Sequence, residues 1–446
     1  MRWARALLAA ASRVIVGTLL ALVVRTVCRM EFHGLEYDTR APRTYLAITH
    51  KRDLDAMGPV PWLLWHRGWR AITGEVHFAM RGDVFTRGFL ARIVDRPRWL
   101  AWLLRPLAIG PIVHALGIHP LVDLHLRPGE EWVRDALRAG GDRDADVVLT
   151  PTFLRVLADA AHEPAERVAG QPLSGLLAWR YAAVMRVWWD VDIFLPEPRR
   201  AAEVRTVASA KRALDDIAGW LRVGGSLLSA PEGKLSPDGT LSPVNGGFHR
   251  IITAAPVGTR VLPIAIVYDA MTTGRPRMFV DLAPAIESAP AVPRAALDGA
   301  LRQAWLGAAR LTCSQIASGA IVRAAQEPGA AFTRADLTRA VRAQAMHLAA
   351  AGRHVDGRLL RSGTARRAVA RYLRYAARHQ IVRRAGAGAG RDAWVALPAA
   401  LDVTVRSGET GYTRFPLAYA YNELREMLAS EAADEASVTA ELHARE

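Results

Sequence analysis

The segment Val207–Lys234, VASAKRALDDIAGWLRVGGSLLSAPEGK, contains a helix pattern, a turn and a strand pattern in direct succession. Its apolar residues recur at helical spacing, which predicts an amphipathic helix over Val207–Leu221. Gly224 and Gly225 then supply the usual end of such a helix. The apolar run Ser226–Ala230 follows and predicts a short buried strand. A helix that leads directly into a buried strand indicates an α/β fold.

Two further apolar runs predict strands of the same sheet type. Tyr45–Thr49 (YLAIT) and Val261–Tyr268 (VLPIAIVY) are short and without interruption by charge. Such runs are typical of strands buried on both faces. Strands that alternate with helices indicate an α/β sheet, with its site at the strand ends.

The N-terminus carries the longest apolar run of the chain. Ala6–Val24 reads ALLAAASRVIVGTLLALVV and is interrupted by Arg13. A spanning helix needs roughly 20 apolar residues, and a central arginine costs a few kcal/mol. An embedded or interfacial anchor, a cleaved signal peptide and an ordinary core helix all remain open. We favour the anchor, and therefore expect the chain at the cell membrane, facing the cytoplasm.

The amino-acid composition restricts the kinds of molecule that the chain is expected to bind. The chain has 446 residues, enough for two or three domains, and a net charge of +15. This surplus favours a phosphate-bearing substrate, an anionic membrane face or nucleic acid. Biased composition explains it equally well, because only three of the 58 basic residues are lysines. The two cysteines, Cys28 and Cys313, lie far apart, which argues against a disulfide framework or a cysteine zinc site.

The C-terminal part has helical patterns followed by a hairpin pattern. Thr333 and Asp336 form a capping-box-like helix start, and a second helix begins near Thr364. Ile381–Leu397 reads as two short strands joined by a glycine-rich turn. Helices followed by a hairpin resemble a winged helix.

These patterns predict four regions. A membrane anchor (residues 1–30) precedes an α/β domain (31–294) with an insertion at about 120–190. A helical C-terminal domain (295–430) and an acidic tail (431–446), expected to be frayed, complete the chain.

The first candidate site follows the strand Tyr45–Thr49. His50 and Asp55 stand five residues apart in HKRDLD. A hydroxyl is a poor nucleophile unless a base takes its proton, and histidine is the natural base. A carboxylate would fix the imidazole tautomer. A surface turn is the alternative, because His-x4-Asp often arises by chance.

Two later segments supply further candidates. APEGKLS, at residues 230–236, places Pro231, Glu232, Gly233 and Lys234 at a strand end, where a glycine and a lysine suit a phosphate. An ordinary turn is the alternative. In LSPVNGGFHR, at residues 241–250, Arg250 is either a phosphate or CoA contact or a solvated arginine.

Taken in order, these segments resemble the sequence blocks of the glycerolipid acyltransferases, the glycerol-3-phosphate and 1-acylglycerol-3-phosphate O-acyltransferases. THKRDLD is similar to their His-x4-Asp block, and APEGKLS to their Phe-Pro-Glu-Gly-Thr-Arg-Ser block. LSPVNGGFHRII and VLPIAIV resemble the segment and strand that follow there. The resemblance covers roughly residues 5–270. Further on, Tyr419–Leu424 resembles the helical end of bacterial glycerol-3-phosphate acyltransferases.

The resemblance implies an acyltransferase-type fold, with a mixed sheet flanked by helices, and it implies a reaction. Acyl-CoA or acyl-carrier protein would be the donor, a glycerol phosphate lipid precursor the acceptor, and no cofactor is needed. His50 would be the general base and Asp55 the residue that orients it. The implied substrate-binding residues are Pro231, Glu232, Gly233, Lys234, Arg250 and one of Arg199 or Arg200.

The sequence also departs from the family pattern. Thr49 stands where asparagine usually precedes the histidine, and Lys234 and Leu235 replace Thr-Arg. The family's second block, an aromatic strand that ends in arginine, has no clean counterpart. Arg199 or Arg200 lies at a suitable distance before Glu232, and Arg127 is the other candidate.

A non-catalytic role is the rival interpretation. The basic C-terminal half would then bind DNA or lipid through exposed arginines on one helix face. Arginines between residues 366 and 378 could form such a face. A solvated helix face is the simpler account, so nucleic acid is not expected as a partner.

Overall fold

The computed structural model describes residues 2–52, 55, 62, 66–68, 75–81, 117–121, 126–287, 292–326, 331–385, 392–397 and 415–443. Asp53 and Leu54 of the HKRDLD segment lie outside these residues. The chain divides into two compact units, which are Met1–Phe78 with Gly219–Glu446, and Ala79–Ala218.

The described helices are α1 (Arg2–Val27), α2 (Gly129–Gly140), α3 (Pro151–Ala161), α4 (Ala165–Ala169), α5 (Ala182–Met185), α6 (Pro196–Arg222), α7 (Gly246–Ala254), α8 (Arg294–Ala308), α9 (Cys313–Ala325), α10 (Arg334–Ala350), α11 (Gly357–Leu360), α12 (Ser362–Arg378) and α13 (Pro416–His443). The described strands are β1 (Arg29–His33), β2 (Thr44–Ile48), β3 (Val76–Arg81), β4 (Ile118–Leu121), β5 (Leu126–Pro128), β6 (Trp188–Asp190), β7 (Ser226–Ser229), β8 (Arg260–Asp269), β9 (Arg277–Leu282), β10 (Ile286–Glu287), β11 (Ala331–Thr333), β12 (Val382–Arg384) and β13 (Ala393–Ala396).

A mixed, mainly parallel sheet forms the centre of the first unit. Its strands lie in the order β1-β9-β8-β2-β7-β3, and β10 also pairs with β8. β2 runs parallel to both β7 and β8, β3 runs parallel to β7, and β1 runs parallel to β9. β8 and β9 are antiparallel. Every residue of β2 and β7 is buried. The predicted α/β class with a mixed sheet and flanking helices is therefore confirmed.

The helix and strand predicted from Val207–Lys234 are present as α6 and β7. α6 starts earlier than predicted, at Pro196, a residue type suited to a first helical turn. It ends as expected, because the N–H of Gly225 donates to the Trp220 carbonyl (2.9 Å) and Gly224 adopts a positive φ of 92°.

The second unit has a core of its own. Helices α2 to α5 and the antiparallel pair β5–β6 surround a cluster that includes the fully buried side chains of Trp132 and Tyr181. The segment predicted as an insertion, about 120–190, lies within this unit. The limits of the predicted domains stay predictions.

The C-terminal part of the first unit contains the predicted helices and hairpin. The three strands β11, β13 and β12 form a small antiparallel sheet in that order. The predicted capping box begins α10, where Thr333 Oγ1 accepts from the Asp336 N–H (3.1 Å) and the Asp336 carboxylate accepts from the Thr333 N–H (3.1 Å). α13 extends to His443 and so includes most of the acidic tail that begins at residue 431; the expected fraying of that tail stays a prediction.

Helix α1 has one buried and one exposed face. Ala21 and Val24 are buried, whereas Ile15, Leu19 and Leu22 are each more than half exposed. Across the described residues, no helix is long and apolar enough to span a membrane. The structure thus contains the predicted N-terminal helix, but its anchoring role stays a prediction.

Candidate active site

The site is built at the ends of two neighbouring parallel strands. β2 and β7 pair in register, with Tyr45 opposite Leu227 and Ala47 opposite Ser229. His50 follows the end of β2, and Glu232 follows the end of β7. Because parallel strands end at the same edge of a sheet, segments that lie far apart in sequence meet here.

His50 and Asp55 face each other across a short gap. His50 Nδ1 lies 3.6 Å from Asp55 Oδ2, which is longer than a hydrogen bond. The His50 side chain is 19% exposed, whereas that of Asp55 is fully buried. The buried carboxylate thus sits behind an imidazole that solvent can reach.

Three donors hold the Asp55 carboxylate in place. Its Oδ2 accepts hydrogen bonds from the backbone N–H groups of Lys51 and Arg52, the latter at 2.6 Å. Its Oδ1 accepts from the Tyr268 hydroxyl at 2.5 Å. The Asp55 N–H donates to the Arg52 carbonyl (3.0 Å), as in a tight turn. This turn, and not a shared helix face, brings Asp55 back towards His50 across the five-residue spacing.

Tyr268 is a residue of this site that sequence reasoning missed. It lies near the end of β8, with its ring under the Arg52 guanidinium at 4.2 Å. Burial, together with the Asp55 carboxylate, raises the pKa of the Tyr268 phenol well above its ordinary value. The hydroxyl therefore stays protonated and donates to Asp55. Its position within VLPIAIVY was visible in the sequence, but nothing there linked it to Asp55.

Glu232 ties the two strand-end segments together. Its Oε1 accepts from the His50 N–H (2.8 Å), and its Oε2 accepts from the Ser242 N–H (2.7 Å). The residue is buried, and burial raises its pKa to about 7 despite these two hydrogen bonds. Both oxygens are occupied by backbone donors. This geometry favours a role in holding the His50 segment over direct contact with an acceptor.

Pro231 and Gly233 shape the turn on either side of Glu232. The buried Pro231 accepts a hydrogen bond from the Asn245 N–H (2.7 Å). Gly233 has a φ of 69°, and a Cβ at this position would lie 2.8 Å from the Asn245 side-chain nitrogen. Asn245 in turn caps α7 through the Gly247 N–H. The positive φ therefore favours glycine here, and a Cβ would also displace the Asn245 side chain.

The side chains predicted to bind phosphate are exposed, unlike those of Asp55 and Glu232, which are buried. Lys234 and Arg250 are exposed residues of the first unit. Arg199 and Arg200 belong to the second unit and are exposed, and Arg199 forms an ion pair with Glu203. The structure therefore brings together His50, Asp55, Glu232, Pro231 and Gly233, and leaves the arginine of the phosphate site unassigned.

The alternative arginine, Arg127, is already neutralised by acids of its own unit. Its guanidinium lies 2.5 Å from Asp135 and 3.3 Å from Glu131. It also stacks over the Trp132 ring at 4.8 Å. These contacts favour a structural role for Arg127.

A second unpredicted relationship joins the His50 segment to helix α13. Lys51 Nζ lies 2.8 Å from Glu423 Oε1, and both side chains are only 7% exposed. Burial alone would lower the pKa of Lys51, but the adjacent Glu423 carboxylate outweighs it and the pKa is raised. Tyr419, one turn earlier in α13, donates from its hydroxyl to the Lys51 carbonyl (3.3 Å). The scarcity of lysine was the available sequence signal, because Lys51 is one of only three.

Gly239 lets α13 approach this loop closely. Its φ is 97°, and a Cβ there would lie 2.3 Å from the Tyr419 carbonyl oxygen. The Gly239 carbonyl also accepts from Lys51 Nζ (3.2 Å). The loop after Glu232, the His50 segment and α13 therefore meet around one buried ammonium group.

Comparisons with known proteins do not assign a function to this site. No protein-family model matches the sequence, and no curated protein is significantly similar to it. Within the part of the chain that the structure describes, no group of three or more His, Cys, Asp or Glu side chains could hold a metal ion.

Proposed function

We propose that this chain is an O-acyltransferase that moves a fatty acyl group from a thioester to a hydroxyl of a glycerol phosphate lipid precursor. The observation that carries the proposal is the pairing of His50 with the buried Asp55 at the end of β2. Glu232, 182 residues away in the sequence, binds the backbone of that same histidine. The two segments that resemble the acyltransferase blocks thus form one structural unit, as a shared site requires.

The proposed chemistry needs only a base. Nδ1 of His50 faces Asp55, so Nε2 is the nitrogen available to take the proton of the acceptor hydroxyl. The hydroxyl oxygen then forms a bond to the thioester carbonyl carbon, and the carbon–sulfur bond breaks. The leaving thiolate takes the proton from His50, which returns the imidazole to its neutral form. Asp55 stabilises the transient imidazolium.

The substrates follow from the resemblance and the charges. The donor is acyl-CoA or acyl-carrier protein, and the acceptor is glycerol 3-phosphate or 1-acylglycerol 3-phosphate. The exposed ammonium of Lys234, two residues after Glu232, is the nearest candidate in sequence for the acceptor phosphate. Arg250, Arg199 and Arg200 are further candidates. Metal or redox cofactors have no part in this reaction as proposed.

We extend the proposal to the membrane, where a lipid product would be released. The exposed apolar residues Ile15, Leu19 and Leu22 lie at helical spacing on one side of α1. An apolar stripe of this kind suits burial at the lipid interface on the cytoplasmic side of the cell membrane. An interfacial position does not require the helix to span the bilayer.

The proposed activity is tested by assaying one purified protein with several acceptor molecules. Purified protein in mixed micelles is incubated with labelled acyl-CoA or acyl-carrier protein and, separately, with glycerol 3-phosphate, 1-acylglycerol 3-phosphate and unphosphorylated glycerol. We expect labelled ester only with the phosphorylated acceptors, and far less of it with a His50→Ala variant. Equal labelling by the variant, or no ester with any acceptor, would refute the proposal.

A further inference from the structure

The densest run of positive charge in the chain lies in its C-terminal part. Residues 357–385 contain nine arginines and no aspartate or glutamate. Helix α6, which is also rich in arginine, carries four acidic residues among its basic ones. The general preference of this chain for arginine therefore does not explain the lack of acids between 357 and 385.

The elements around this run have a specific arrangement. In chain order they are α9, β11, α10, α12, β12 and β13, with the single-turn α11 between α10 and α12. The three helices pack on one another; Tyr372 of α12, for example, is hydrogen-bonded to Ser318 of α9 (3.0 Å). β11 pairs with β13, which pairs with β12. Two packed helices joined by a short connection, followed by a hairpin, form a winged helix-turn-helix arrangement.

Helix α12 occupies the place of the recognition helix and has two distinct faces. Its apolar residues, including Val369, Tyr372 and Leu373, are buried against the other helices. Its opposite face carries five exposed arginines, at positions 366, 367, 371, 374 and 378. At 100° per residue these positions fall within an arc of about 140°, along roughly 18 Å of helix.

Most of these arginines are not occupied by acids of the protein. Within the described residues, Arg366, Arg367, Arg371 and Arg378 form no ion pair, and Arg374 contacts only the Thr273 hydroxyl (3.3 Å). Neighbouring guanidinium groups repel one another, and a bound polyanion would relieve that repulsion. The face is therefore complementary to a polyanion.

The hairpin extends the basic surface beyond the helix. Arg383 and Arg384 are exposed at the end of β12. Arg384 stacks over the Trp394 ring at 4.3 Å and also pairs with Asp392 (3.3 Å). An open cleft of about 650 Å³ lies between the end of α12 and the hairpin, and Arg383, Arg384 and Trp394 contribute to its lining.

We propose that α12 and the β12–β13 hairpin form a docking surface for duplex DNA. The arginine face of α12 enters the major groove, whose width admits an α-helix, and neutralises the flanking phosphates. Duplex RNA fits less well, because its major groove is deep and narrow. A lipid surface is disfavoured, because the described residues 357–385 expose a single large apolar side chain, Leu360 at 36%, and no apolar stripe that would insert between lipids. This inference is independent of the acyl-transfer proposal.

The test uses the purified full-length chain and a short fluorescein-labelled DNA duplex. Fluorescence anisotropy is measured at several KCl concentrations from about 50 to 200 mM, the range over which phosphate contacts weaken binding strongly. We expect Arg366→Ala/Arg367→Ala/Arg371→Ala to bind about tenfold or more weakly, with a shallower dependence of affinity on salt, by about one unit of slope per lost phosphate contact. The three side chains are exposed, so their removal should leave the fold intact.

A matched control variant distinguishes an effect of the α12 arginines from an effect of the total charge. Arg134→Ala/Arg155→Ala/Arg167→Ala removes the same charge from exposed positions of the second unit and should bind DNA as the unaltered protein does. Equal losses in the two variants would overturn the proposal. So would a failure of the unaltered protein to bind the duplex at physiological salt, or a preference of the α12 face for anionic phospholipid vesicles or duplex RNA over DNA in competition.

Discussion

The ammonium of Lys51 and the carboxylate of Glu423 form an ion pair at 2.8 Å in a region from which solvent is almost excluded. Lys51 directly follows the proposed base His50, and its backbone N–H donates to Asp55. Glu423 also accepts from the Gln315 side chain (3.0 Å). The pair therefore connects the geometry of the His50 segment to helices α9 and α13.

The first prediction concerns this pair. Glu423→Ala leaves the Lys51 ammonium buried without its counter-ion, so we expect the free energy of unfolding to fall by about 3–5 kcal/mol. Urea denaturation followed by circular dichroism measures the change. Because replacing both charges removes the unpaired group, Lys51→Met/Glu423→Leu should be more stable than Glu423→Ala. Glu203→Ala, which breaks the exposed Arg199–Glu203 pair, serves as the control and should change stability little. Similar losses in Glu423→Ala and Glu203→Ala would argue against the buried pair.

The second prediction concerns the proposed base and its carboxylate. His50→Ala should lower kcat by about 10²–10⁴-fold, because the acceptor hydroxyl loses the group that takes its proton. Asp55→Asn should also be severe, since it removes the charge that favours the imidazolium and permits the wrong tautomer. Steady-state kinetics on folded variants, with both substrates varied, measures these effects. Near-normal turnover by His50→Ala would rule out the mechanism.

The third prediction assigns Tyr268 a positioning role. Tyr268→Phe removes one hydrogen bond to the Asp55 carboxylate, a bond to a charged group, so we expect kcat to fall about tenfold or more. The KM for the acceptor should stay nearly constant, because the phenol acts through Asp55. Tyr45→Phe is the matched control: its hydroxyl is bonded to Ser229 in the same sheet and does not contact Asp55. A change in acceptor KM without a change in kcat would contradict the positioning role.

The fourth prediction concerns pH. Burial raises the pKa of Glu232 from its ordinary 4.5 to about 7 in the folded protein. Between these values the folded state holds a proton that the unfolded state has released, so this group's contribution to stability is lost as the pH rises from 4.5 to 7. Glu232→Gln cannot titrate, and its unfolding free energy should therefore decline less over that range. Denaturation curves at several pH values test this, and identical pH profiles for the two proteins would count against it.

The fifth prediction concerns membrane attachment. Ile15→Ser/Leu19→Ser/Leu22→Ser removes the exposed apolar stripe of α1 and should reduce co-sedimentation with phospholipid vesicles, because the buried apolar area supplies the interfacial binding energy. Val204→Ser/Val257→Ser replaces exposed apolar residues elsewhere in the chain and should sediment as the unaltered protein does. Unchanged sedimentation of the α1 variant would remove the anchoring hypothesis.

The sequence predicted what depends on local pattern. The helix before β7, the strands β2 and β8 and the capping box at Thr333 all follow from periodicity and capping chemistry, and the structure contains them. Parallel pairing then brings His50 and Glu232 to one edge of the sheet. These outcomes need no knowledge of distant contacts beyond the rule that parallel strands share an edge.

Contacts between distant residues could not be predicted in the same way. Lys51 and Glu423 are 372 residues apart, and no periodicity relates an acid in α13 to a loop after β2. The sequence predicted that Glu232 helps to shape the acceptor site, and this stays a prediction; it did not predict that both carboxylate oxygens accept from backbone N–H groups of two segments. The burial of Glu232 exists only after the sheet has formed.

The distance in sequence between Lys51 and Glu423 also bears on synthesis. The His50 segment leaves the ribosome long before α13 does, and until then the Lys51 ammonium lacks Glu423, its ion-pair partner. A nascent chain that already contains β2, β7 and β8 would therefore keep this loop hydrated. The order in which the segments emerge thus leaves the buried Lys51–Glu423 pair to form only after α13 has docked.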